Sequence, residues 1–212
     1  MARAQRRDRP ATPERLFWRD GFLAPSQCAE IVAELEFAFW APSTLYVQGD
    51  TRRQFVRSEK RASWSTSEPW FSAPLRRTIA AVDRRIGRLL PEAPSRREPW
   101  QATRYDPGGR FGFHQDSGAF GAEPAGERTH TVLIYLEAPG RGGTTRFPLL
   151  DLDVECEIGR LLVWRNLDAD GDADPEMLHA AMPVREGRKT ILVTWIRQRA
   201  LPASERGRRT RS

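Results

Sequence analysis

Histidine, lysine and cysteine are scarce in this 212-residue chain. Two cysteines, Cys28 and Cys156, stand far apart and in no metal-ligand spacing. That excludes a disulfide framework and a thiolate zinc site, and reads as buried free thiols in a reducing compartment, the cytoplasm. No apolar run approaches the eighteen or so residues that a membrane-spanning helix needs. The basic N-terminus has no apolar stretch behind it, so no secretory signal is expected. No G-x-x-x-x-G-K-[ST] exists, which removes the phosphate-loop nucleotide enzymes, and no internal repeat is visible. Only two lysines, Lys60 and Lys189, stand among thirty-two arginines. Any imidazole chemistry must draw on His114, His130 and His179, since there are no others.

What is present describes a globular domain with a real core: 39% hydrophobic and 29% charged residues, with seven Trp and ten Phe. The net charge of +6 is concentrated at the ends. The first ten residues carry four Arg against one Asp, and the last sixteen carry six Arg against one Glu, so the remainder is slightly acidic. These ends read as solvated, disordered tails, 1–13 and 201–212, rather than as a nucleic-acid surface. Between them we expect one domain, 14–200, with a helical N-terminal part (14–98) and a β core (99–200).

Periodicity predicts a helix from about Ser26, with Ile31, Leu35 and Phe39 on one side and Val32 close by. A second helix carries Leu75, Ile79, Val82, Ile86 and Leu89 at helical spacing, with Ser72 as its cap and Pro91 as its stop. Its arginines form a solvated face. After Pro99 about eight short β-rich runs follow, from "WQATRYD" to "KTILVTWIRQ", separated by Gly, Pro and Asp. The expected fold is mainly β with flanking helices (α+β), an antiparallel jelly roll with the helices packed outside.

In "YDPGGRFGFHQD", a turn in which Gly108 and Gly109 supply positive φ leads to His114 and Asp116. Residues two apart on a strand face the same way, so this pair can approach one ion. An iron facial triad needs a second imidazole and an open face opposite. Of the remaining two, His130 lies in an apolar strand and reads as a packing or hydrogen-bonding residue. His179 begins a strand-like run, with Lys189 ten residues on at the head of a long apolar strand. A cation buried there needs an anion. The acidic stretch around Asp168, Asp170 and Asp172 imitates a calcium loop. Its sixth and twelfth places hold Ala173 and His179, so it reads as an acidic loop leading to that histidine.

From Arg104 to Trp195 the chain resembles the prolyl 4-hydroxylase-like Fe(II)/2-oxoglutarate-dependent dioxygenases. The ordered matches are "YDPGG-RFGFHQD", "R-THT-LIYL", "GGTTRFP", "G-LLVWRNL", "HAAMPV", "G-K" and the closing Trp; upstream, "FLAPSQCAEIVAEL" and the "R-S" of "EKRASW" also match. The resemblance implies a double-stranded β-helix (cupin-like) core, with His114, Asp116 and His179 as ligands of Fe(II). It implies 2-oxoglutarate and O2 as co-substrates, and ascorbate as a reductant. Lys189 takes the position that pairs with the distal carboxylate of 2-oxoglutarate. Arg188 is the neighbouring candidate, and on a strand only one of the two faces the site. Tyr105 and Tyr135 match positions lining the co-substrate pocket, with Thr131 and Thr145 as further candidates for that wall. A carboxylate at Asp116 implies hydroxylation rather than halogenation. Phe111 departs from a Tyr common in the family. The implied substrate is a prolyl peptide, a free amino acid or a small metabolite, met in a pocket shaped by the segments 43–67 and 117–127. Two alternatives stand beside it: a nucleic-acid-modifying oxygenase using the basic tails, and a non-catalytic jelly-roll binding module.

Overall fold

The apolar runs form strands, and in this computed structural model, which describes residues 15–48, 53–91 and 93–202, the strands pair into two large facing antiparallel sheets and two small two-stranded ones. In chain order the strands are β1 (Leu16–Arg19), β2 (Ala41–Pro42), β3 (Leu45–Gln48), β4 (Arg53–Val56), β5 (Arg61–Ala62), β6 (Trp64–Ser67), β7 (Gln101–Tyr105), β8 (Arg110–His114), β9 (Arg128–Glu137), β10 (Arg141–Gly142), β11 (Thr145–Phe147), β12 (Leu152–Val154), β13 (Leu161–Arg165), β14 (His179–Ala181), β15 (Val184–Glu186) and β16 (Lys189–Arg197). The helices are α1 (Pro25–Leu35), α2 (Ala73–Ile86) and the short α3 (Ala93–Arg96). The major sheet runs β1-β13-β9-β16-β7-β6-β2, and the minor sheet β12-β11-β14-β8-β5. This is the expected double-stranded β-helix, with the helices on the outer face of the major sheet.

The two-residue period of the long strands builds both cores. On β9, Val132, Ile134 and Leu136 face the helices and meet Ile31, Leu35, Leu75, Ile79 and Val82. The alternate residues Leu133 and Tyr135 face the minor sheet and join Phe147, Trp164 and Val184. Each such aliphatic side chain contributes about 1.5–3 kcal/mol on burial. Strand β16 divides the same way: Leu192 and Ile196 lie on the helix side, and Ile191 and Val193 between the sheets.

Several expectations are corrected. Helix α1 stops at Leu35, whose carbonyl accepts the Trp40 indole N–H at 2.9 Å, so Phe39 lies beyond the helix and is 63% exposed. Helix α2 begins as expected, with the Ser72 hydroxyl accepting from the Leu75 amide, but ends at Ile86 with Gly87 as its C-cap, well before Pro91. Leu89 still packs on the core from the following turn. The N-terminal part holds β1 to β6 beside its helices, with β5 and β6 in the stretch 55–70 that reads as strand and loop. Of the two turn glycines only Gly108 has positive φ (+85°); Gly109 is required because a Cβ there would lie 2.7 Å from the Asp106 carbonyl. Cys28 is buried as expected, whereas Cys156 is only partly so.

The expected tail 1–13 lies outside the described residues, as does 203–212 of the other. Leu201 is buried, and its amide donates to the Ser95 carbonyl, so packed chain runs past the expected boundary at 200. No helix among the described residues is long and apolar enough to cross a membrane.

Candidate active site

Antiparallel pairing of β8 with β14 sets His114 directly opposite His179. Their ring centroids lie 4.2 Å apart. Asp116 was expected on the same strand as His114, but β8 ends at His114 and Asp116 lies in the bend that follows. Its neighbours hold it there. Gln115 donates to the Asp174 carbonyl at 2.9 Å, and the Ser117 hydroxyl donates to the Asn166 carbonyl at 3.0 Å, tying the bend to the loop that leads to His179. His114 Nε2 is 3.7 Å from one Asp116 oxygen, and His179 Nε2 is 3.6 Å from the other. One ligand atom from each of the three residues lies within 4.8 Å of the other two.

The tautomers follow from the partners. His114 Nδ1 is 2.9 Å from the Gly112 carbonyl, and His179 Nδ1 is 2.9 Å from that of Met177. A carbonyl only accepts, so each Nδ1 carries the proton and each Nε2 lone pair faces the shared point. Burial, reinforced by the adjacent His179, pushes the pKa of His114 down to about 3, which keeps the ring neutral. Burial opposes the charge on Asp116, yet His179 and His114 outweigh it and hold the carboxyl at about 2. Two neutral imidazoles and one carboxylate on one side of a point form the facial donor set that suits a divalent first-row metal.

The inner cavity beside these three residues has a volume of about 60 Å³. Strand alternation decides who reaches it. Lys189, Ile191, Val193 and Trp195 of β16 line it, as do Gln101, Thr103 and Tyr105 of β7. Lys189 is 1% exposed, donates to the Gly143 carbonyl at 2.7 Å, and lies 5.4 Å from the ring centroids of Tyr105 and Tyr135. Burial pushes its pKa down. Arg188 points the other way and pairs with Asp106 at the surface, 3.0 Å away. Between the two candidates, then, Lys189 is the cation inside.

The remaining expected residues divide. Tyr105 and Thr145 line the cavity. Tyr135 is fully buried and bonds Thr145 through its hydroxyl at 2.7 Å, but it stands behind the cavity wall. Thr131 reaches the cavity, yet its hydroxyl donates to Asp116 at 2.7 Å and accepts from the Asn166 amide at 2.9 Å. It therefore orients the carboxylate. Asn166 carried no signal in the sequence, because its partner lies thirty-five positions away. His130 bonds the Thr129 hydroxyl at 3.1 Å and does not line the cavity. In the acidic loop, Asp168 accepts from the amides of Asp170 and Asp172 at 3.0 Å and so shapes the approach to His179. Phe111 lies flat on His114, with centroids 3.6 Å apart.

Outside this cavity a groove of about 690 Å³ opens onto His114 and Asp116, and both segments expected to shape it, 43–67 and 117–127, contribute to its wall. Its far side is an ion network. Glu98 accepts two bonds from Arg128 and one from Arg197, and Arg197 also pairs with Glu123 at 2.7 Å.

Three comparisons bear on this site. Residues 100–197 match the model of the 2OG-Fe(II) oxygenase superfamily. The chain is 33% identical over 136 residues to prolyl 4-hydroxylase subunit alpha-2 of Caenorhabditis elegans, covering 61% of this chain and 25% of that protein. It is 30% identical over 168 residues to the alpha-3 subunit of Rattus norvegicus, covering 75% and 29%. It thus spans between a quarter and three-tenths of the length of these relatives. Among solved structures, the viral collagen prolyl hydroxylase of Paramecium bursaria chlorella virus-1, in its 2OG complex, superposes with a TM-score of 0.66 at 24% identity, over 87% of this chain and 96% of that one. A Pseudomonas putida prolyl-4-hydroxylase gives 0.62 at 18% identity, over 88% and 94%.

Proposed function

This chain belongs to the 2OG-Fe(II) oxygenase superfamily, and from that premise we propose that it is an Fe(II)- and 2-oxoglutarate-dependent dioxygenase hydroxylating an unactivated C–H bond. The substrate class is a prolyl residue in a peptide, a free amino acid or a small metabolite. One observation carries the reading: a two-histidine, one-carboxylate cluster shares a buried cavity with Lys189.

The residues fit the groups the family requires. His114, Asp116 and His179 would hold the iron, and Lys189 would pair with the distal carboxylate of 2-oxoglutarate. The indole N–H groups of Trp164 and Trp195, both on the cavity wall, are buried without a partner among the described residues, as donors awaiting a polar ligand would be. Iron(II) with 2-oxoglutarate and O2 supplies the oxidising chemistry, in which one oxygen atom enters the substrate C–H bond and the other enters succinate as CO2 leaves.

The protein's own part is binding and orientation. Neutral imidazoles present lone pairs without protonating, and Thr131 and Asn166 hold the Asp116 carboxylate in one orientation. The apolar residues Ile191, Val193 and Leu133 exclude water around the cavity. Free thiols at Cys28 and Cys156 support placement in the cytoplasm.

The test is oxygen-dependent consumption of 2-oxoglutarate with Fe(II) and ascorbate, screened against prolyl peptides and free amino acids. Formation of succinate, with a product 16 Da heavier (one oxygen atom), is expected. Failure of the purified protein to take up iron leaves only a binding module.

A further inference from the structure

Arg61 is the single described residue that lines the inner cavity, the groove outside it and a second outer groove of about 670 Å³. Its guanidinium lies 4.4 Å from the centroid of the Phe111 ring, which also stacks on His114. Three of its nitrogens donate to neutral oxygens: Nε to Ser63 Oγ at 3.2 Å, Nη1 to the Thr44 carbonyl at 3.2 Å and Nη2 to Ser65 Oγ at 3.4 Å. Those hydroxyls are held in turn, as Ser43 bonds Ser65 at 2.6 Å and accepts from Ser63 at 2.8 Å. The guanidinium is therefore fixed in place, with two of its five N–H donors unengaged.

The other arginines of the groove wall differ. Arg128 and Arg197 are neutralised by Glu98 and Glu123. Arg61 has no carboxylate within ion-pair distance among the described residues. Asp106 of the outer groove is taken by Arg188, and Asp116 is committed to the two histidines. A positive charge drawn away from water at a cleft junction, on which Asp116 acts only from beyond ion-pair distance, is unfavourable unless a ligand supplies a closer anion.

We propose that Arg61, footed on Ser63 and Ser65, is an anion subsite of the substrate groove, and that the hydroxylated substrate carries a carboxylate held there. The inference rests on the oxygenase reading above and narrows its substrate class. The guanidinium and His114 both contact the ring of Phe111, which brings Arg61 close to the metal-ligand cluster. The carboxylate is either the α-carboxylate of a free amino acid or the acidic side chain of a peptide, which share this chemistry. Burial lowers the pKa of Arg61 and outweighs the opposing effects of Tyr105 and Asp116.

Two measurements test it. First, the Arg61 Nε–H NMR signal of the Zn(II)-loaded, 2-oxoglutarate-saturated protein is assigned by its disappearance in Arg61→Lys and followed through titration with acetate and with acetamide. A saturable shift with acetate alone is expected. No shift, or an equal shift with acetamide, overturns the subsite. Second, turnover is compared between free amino acids and their amides, and between peptides bearing Asp or Glu and those bearing Asn or Gln. Whichever source is right, the wild type prefers acid over amide roughly 10- to 100-fold, the loss of a charge-assisted hydrogen bond. That preference collapses in Arg61→Gln and is partly kept in Arg61→Lys. An unchanged preference in Arg61→Gln, or turnover indifferent to amidation, also overturns it. Should no compound turn over, the acetate titration decides. Failure of the Zn(II)-loaded wild type to bind 2-oxoglutarate refutes the oxygenase reading instead, so the two failures are separable.

Discussion

Replacing Lys189 by Met separates stability from co-substrate binding in opposite directions. The ammonium is buried without a carboxylate partner among the described residues, donates to the Gly143 carbonyl and has the Cys156 thiol beside it. Losing a hydrogen bond of that charged kind costs about 1.5–3 kcal/mol. Relief from burying an uncompensated charge returns several kcal/mol. The carbonyl is not left orphaned, because the Cys156 thiol also donates to it, at 2.9 Å. Methionine fills similar volume, so no large cavity opens. The metal-free variant should therefore be as stable as the parent or gain about 0–2 kcal/mol, a rise in Tm of roughly 0–8 °C for a chain of this size.

Binding moves the other way. With 2-oxoglutarate present, Met leaves its distal carboxylate buried and unpaired, which costs about 3–5 kcal/mol, or roughly 150- to 5,000-fold in Kd. Calorimetric titration of the Zn(II)-loaded protein measures the second effect, and thermal unfolding followed by circular dichroism the first. A clear fall in Tm, together with a 2-oxoglutarate Kd within tenfold of the parent, would show that Lys189 is a structural cation and refute the reasoning.

Other outcomes follow from the same geometry. His179→Ala should abolish metal-dependent succinate formation while the far-ultraviolet spectrum is retained; undiminished succinate would sink the triad. Thr131→Val removes the donor to Asp116 and the acceptor for Asn166. Metal titration should show affinity reduced about 10- to 100-fold, and denaturant unfolding a loss of about 1–3 kcal/mol. Burial raises the pKa of Glu98, but Arg128 and Arg197 outweigh it and hold the carboxyl below its usual 4.5. A depressed carboxylate stabilises above its unfolded-state value and loses that contribution as pH falls through its folded-state value. Glu98→Gln should thus be less stable than the parent at pH 7, with the gap closing below about pH 4.5; a gap constant with pH would exclude the ion network as its source.

Which parts of this molecule could be read from the chain depends on the range of the interaction. The β16 run "KTILVTWIR" states part of its own geometry: with a period of two, Lys189, Ile191, Val193 and Trp195 share a face opposite Arg188, and the tertiary structure decided that this face is the inner one. The second helix was legible for the same reason, since Leu75, Ile79, Val82 and Ile86 form one stripe. Its end was not, because Gly87 caps it where the spacing of Leu89 suggested continuation. The resemblance made Thr131 a candidate for the co-substrate wall, and its commitment to Asp116 depends on a bend that no local pattern encodes.

By itself the sequence determined the strand faces, the helix stripes and the His114/Asp116 pair, because each is set by residue type and short-range period, while His179 entered as a ligand candidate through the family resemblance. Tertiary structure alone decided how the distant pieces meet. The β8–β14 register placed His179 against His114, sixty-five positions away, and the carbonyls of Gly112 and Met177 chose the histidine tautomers. The β9–β16 pairing set Arg128 beside Arg197, where both meet Glu98, whereas Arg61 on β5 has no carboxylate within ion-pair distance among the described residues. Charge neutralisation acts through space, so the linear order of the arginines holds no record of which of those lining the site meet a carboxylate.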